Sequence, residues 1–78
     1  MIAPNMKVAV KVPGAENNLA LGKVTSDGKN IVWHEIVDMS DGSTSNKYGM
    51  GFRFGKTPKP IKGDEVPCPP GLAHLIPG

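Results

Sequence analysis

From residue 6 to residue 12 the chain reads Met-Lys-Val-Ala-Val-Lys-Val, so Val8, Val10 and Val12 share one side of an extended backbone and Lys7, Ala9 and Lys11 the other. A period of two predicts a half-buried strand. Residues 13–18 carry turn chemistry, because proline presets φ and glycine or asparagine accepts positive φ. Leu19, Leu21 and Val24 resume a strand pattern over 19–26, which Gly22 interrupts in the manner of a bulge. Asp27-Gly28-Lys29-Asn30 then separates two apolar runs and suits the left-handed dihedrals of a tight hairpin, so the second and third segments are expected to pair.

The run over 31–39 fits two periods. Val32, Trp33, Ile36 and Val37 fall at helical spacing, with Asn30 as a cap and Gly42 as a stop. Its β-branched residues and Trp33, placed directly after a hairpin turn, favour a strand. Residues 40–46, Ser-Asp-Gly-Ser-Thr-Ser-Asn, predict a polar surface loop. Tyr48, Met50, Phe52 and Phe54 then alternate with Gly49, Gly51 and Arg53, a strand whose bare side leaves room for a bulky group such as Trp33. Beyond Thr57 lie six of the eight prolines, which excludes a central strand and predicts extended geometry. Residues 64–66 suit a short edge strand and 72–76 a single helical or 3₁₀ turn.

Ten glycines and eight prolines, 18 of 78 residues, argue against a helical bundle. A chain this short buries only about 60–65% of the surface that its unfolded form exposes, so its core is thin. The expected fold is all-β or predominantly β: a small, partly open SH3- or OB-like barrel of four to five short strands, spanning residues 1–66, with an extended proline-rich C-terminal arm over 67–78. The single cysteine, Cys68, excludes an internal disulfide and a thiolate zinc cage, and favours a reducing setting such as the cytoplasm or a virion. No stretch reaches the ~18 apolar residues of a membrane span and no secretion signal opens the chain, so a soluble, unprocessed protein is expected.

Chemistry-bearing motifs are sparse. Gly55-Lys56-Thr57 matches the end of a phosphate-binding loop, but its upstream glycines miss the register and Pro58 obstructs the helix that should follow. His34-Glu35, His74 and Cys68 form no ligand or triad spacing, so neither catalysis nor a metal or other cofactor is expected. The segment 47–62 holds Lys47, Arg53, Lys56, Lys59 and Lys62 without an acidic residue, interleaved with Tyr48, Phe52 and Phe54, a composition suited to single-stranded nucleic acid. Within it, Gly51-Phe52-Arg53-Phe54 resembles part of the RNP1 motif of RNA-recognition domains, without its leading basic residue and with arginine in place of glycine or alanine. Against a stacking role stands supply: the chain has four aromatic residues, and turning three outward would strip the core. Asp27, Glu35, Asp38 and Asp41 form a local acidic block whose plainest use is pairing across strands.

Leu72, Ala73, Leu75 and Ile76 form an apolar patch behind the stiff spacer of Pro67, Pro69 and Pro70. These residues are expected to anchor a non-enzymatic accessory or structural subunit on a larger protein assembly or on further copies of itself. Viral decoration proteins and small inhibitors of host complexes are analogies of suitable size. The alternative is a nucleic-acid binder built on the basic segment. A third class, an enzyme with a site formed between protomers, would need His34 and Glu35 to converge by symmetry. No membrane or small-molecule substrate is implied.

Overall fold

The computed structural model describes residues 2–45 and 58–77. The expected strand over 48–54, its aromatic face, the Gly55-Lys56-Thr57 motif and Lys47, Arg53 and Lys56 lie outside them. Three strands, β1 (Lys7–Val12), β2 (Ala15–Val24) and β3 (Asn30–Asp38), form an antiparallel meander. Three two-residue strands complete the sheet: β4 (Thr44–Ser45) and β5 (Lys59–Pro60) both pair with β3, and β6 (Val66–Pro67) pairs with β1. A 3₁₀ turn, Ala73–Leu75, follows. The fold is therefore predominantly β, with an open antiparallel sheet ordered β4-β3-β2-β1-β6 and β5 on β3. No pairing among the described residues closes it into a barrel.

Both hairpins form where turn chemistry places them. Gly28, at φ +74, occupies the left-handed region that a side chain resists, and Asp27 stiffens the turn by accepting from the Lys29 amide at 3.0 Å and from the Thr25 hydroxyl. The first turn is tighter than expected. Residues 15–18 belong to β2 instead of a loop, because Val12 already stands opposite Ala15. With Lys11 opposite Leu19, residues 16–18 bulge out of the ladder with β1, and the contacts on this stretch run to the β3 side, where Asn18 stands opposite Asp38 and the Met39 amide donates to the Asn17 carbonyl at 2.7 Å. The polar loop after β3 likewise contributes a short strand, with Ser45 opposite Ile36.

The ambiguity over 31–39 has a structural cause. Leu21 stands opposite Glu35 and Gly22 opposite Trp33, so His34 is an extra residue on β3. This bulge resets the alternation: Ile31, Trp33 and Ile36 join one core cluster while Val37 joins another. Two strand halves out of phase imitate helical spacing. Gly22 sits beneath the bulge, where an added Cβ would stand 2.7 Å from Ile31 Cγ2 and 2.8 Å from Trp33 Cε3.

Apolar side chains leave both faces of the sheet. One carries Val8, Ala20, Val24, Ile31 and Trp33, edged by Ile2, Met6 and Ile61. The other carries Ala9, Leu21 and Val37, which are buried beneath Ile76 with Leu72, Leu75 and Cys68 around it. β1 therefore is not half-buried in the simple sense its alternation predicts, since Ala9 is as fully enclosed as Val8.

Candidate functional site

The residues with chemical potential stand on separate elements. His34 is the bulge residue of β3, half-buried beside Glu35; His74 is exposed in the 3₁₀ turn; Cys68 follows β6. Burial pushes the Cys68 thiol up from its ordinary value, against the opposing pull of Lys7. A raised thiol is a poor nucleophile at neutral pH. Among the described residues no group of three His, Cys, Asp or Glu side chains could hold a metal ion.

The acidic block builds turns. Asp27 caps the β2–β3 hairpin, Asp38 accepts from the Ser40 amide at 2.9 Å, and Asp41 from the Ser43 amide at 2.8 Å. Hydrogen bonding to the ionised form holds the Asp27 and Asp41 carboxyls below the ordinary 3.8, led by the Thr25 hydroxyl and the Ser43 amide respectively. Of the basic segment, Lys59 is half-buried in β5 opposite Ile31, and Lys62 is exposed in a turn. That turn is pinned by Glu65, whose buried carboxylate accepts from the Lys62 and Gly63 amides at 3.0 and 2.9 Å.

The tail separates into two parts. Pro67, Pro69 and Pro70 are exposed, Pro67 as the last residue of β6 opposite Val8. Ile76, 2% exposed, rests on the chain's own sheet, with Leu72 and Leu75 half-buried at its flanks. Lys7 adds a hydrogen bond from Nζ to the Ala73 carbonyl at 3.2 Å. The apolar residues assigned to a partner thus cover an apolar face at home, and among the described residues Ala9, Leu21 and Val37 have no other lid on that face.

Among the described residues two large apolar side chains face outward, Met39 after β3 and Val66 at the root of the tail. Val66 is 53% exposed although it pairs with the fully buried Ala9. It borders a groove of about 410 Å³ lined by Ala9, Val10, Lys11, Leu19 and Asp64. The groove exists because β6 begins at Val66, opposite Ala9, while β1 continues to Val12, so among the described residues the last part of β1 has no strand paired to it on that side. Sequence reasoning missed Val10, Lys11, Leu19 and Val66 as surface features. No local signal brings residue 66 beside residue 9. A second, shallower cavity of about 390 Å³ at the other end of the sheet is lined by Asn5, Lys23, Thr25, Ser26 and His34 with Val24 and Val32.

Comparison with protein-family models, with curated proteins and with solved structures finds no match to this chain.

Proposed function

We propose that this chain is a non-enzymatic β subunit that docks on a larger protein assembly. The surface we assign to docking is the groove of Val10, Leu19 and Val66, continued by Pro67, Pro69 and Pro70. One observation supports this reading above the others: a β-branched apolar side chain, Val66, stands more than half exposed beside an apolar groove. Fully burying such a side chain is worth about 1.5–3 kcal/mol, and rigid prolines beside it lose little entropy on docking. In this reading the twisted sheet and its tail act as the half-open barrel of SH3 or OB size. Lys11 and Asp64, one at each side of the groove, supply orientation.

The experiment is purification from the native source of the wild-type chain and a Val66→Asp variant. A companion protein in fixed proportion that is lost with the variant supports docking; an unchanged companion, or none, ends the proposal. A second reading, the single-stranded nucleic-acid binder, keeps Lys59 and the exposed Lys62 as its phosphate contacts among the described residues. Filter binding of a single-stranded oligonucleotide across a salt series separates the two. A phosphate binder weakens steeply with salt, whereas apolar docking hardly responds.

A further inference from the structure

The apolar end of the tail holds its own shape. Leu75 donates its N–H to the Leu72 carbonyl and Ile76 to the Ala73 carbonyl, both at 3.1 Å. What seats it is side-chain burial, led by Ile76 over Ala9, Leu21 and Val37, and the bond from Lys7 to the Ala73 carbonyl. Nothing in those contacts requires both surfaces to belong to one chain. The upstream attachment differs in kind: β6 is laddered to β1, and the Cys68 amide donates to the Lys7 carbonyl at 3.0 Å. Between the two lies a turn at 69–72, closed by the Leu72 amide on the Pro69 carbonyl at 2.9 Å. Its Pro69-Pro70 pair favours extended backbone. Opening this turn would release the apolar end and leave β6 in place.

We propose that the face of Ala9, Leu21 and Val37 is a receptor for the tail of a second copy, and that two chains exchange residues 69–77 to form a symmetric dimer. The occupant is set by what already fits the face, the Leu72-Ala73-His74-Leu75-Ile76 segment. The meeting place is set by β6, the outer strand on that side, where exposed Val66, Pro67, Pro69 and Pro70 would be covered by the incoming copy. Reciprocal exchange gives up the Leu72–Pro69 bond of the opened turn, reuses the contacts of the apolar end with the sheet and adds this ridge, so it needs no new complementary surface. The inference rests on the docking reading only in using that ridge, with a second copy as the partner.

Sedimentation of the full chain from micromolar to millimolar concentration tests it, together with native mass spectrometry of mixed isotopically light and heavy chains. The expected result is a dimer fraction that rises with concentration and light–heavy hybrids that appear slowly. Deleting Pro70 and Gly71 strains the closed monomer and should tighten the dimer by roughly tenfold or more. Ile76→Asp should lose the dimer, and an excess of a synthetic peptide of residues 69–77 should convert the wild-type dimer to monomer. A chain that stays monomeric in both wild-type and deletion forms overturns the exchange, as does a dimer indifferent to the peptide. A dimer lost with Val66→Asp but kept with Ile76→Asp also overturns it and leaves the docking reading standing. The opposite pattern keeps the exchange and removes Val66 from it.

Discussion

Gly22 is the residue on which the sheet is most exacting. A Cβ there would meet Ile31 and Trp33 side-chain carbons and the Val32 carbonyl oxygen, all at 2.7–2.8 Å. Neither the rigid indole nor the backbone oxygen yields cheaply. Gly22→Ala should therefore lower stability by about 1–3 kcal/mol, read as a fall in the urea midpoint. Carboxylates decide the behaviour in acid. Asp27 and Asp41 titrate below the ordinary 3.8, so the stability they contribute is present above that pH and is lost as pH falls through their depressed folded values. Melting temperature should drop as pH is taken below 4, and Asp27→Asn, which keeps an acceptor but cannot titrate there, should flatten part of that slope. Glu65 holds two amides of its turn; Glu65→Ala should cost about 1–2 kcal/mol by chemical denaturation, and Glu65→Gln less.

Elements of this protein owe their places to unequal amounts of local information. The β1 strand and the hairpin around Gly28 are written in alternation and turn residues, and both form, although β1 is covered on both faces. β3 is different, because the bulge at His34 splits one strand into two phases and only pairing with β2 reveals it. The tail shows the clearest division: its prolines announce extended backbone, while its partner is set by an apolar face three strands wide. Truncating Ile76 to alanine removes a side chain that is 2% exposed and should cost about 2–5 kcal/mol in thermal unfolding. Cys68 reports the same docking. Its raised thiol should react with a disulfide reagent more slowly than a free cysteine, with the pH profile displaced upward, and Ile76→Asp should bring both back toward free-thiol behaviour.

At the scale of the whole molecule, a thin core is spread over both sides of one sheet, and the chain ends serve as lids. Ile2 edges one side and Ile76 covers the other. The β class, the hairpin around Gly28, an irregularity at Gly22, a short edge strand near residues 64–66 and the closing 3₁₀ turn were legible in the sequence, because alternation, proline and glycine act within a few residues of where they stand; that the extra residue of the irregularity is His34 on β3 was not. The groove of Val10, Leu19 and Val66, the burial of Ala9 from above and the seat of Ile76 were not. Each depends on residues of the tail meeting sheet residues far earlier in the chain, at the edge of β1 or over the face of Ala9, Leu21 and Val37. Period-two alternation distinguishes the two faces of a strand; which face receives a cover, and from which part of the chain or from which copy of it, is decided only when the sheet has formed and its remaining apolar surface finds the nearest lid.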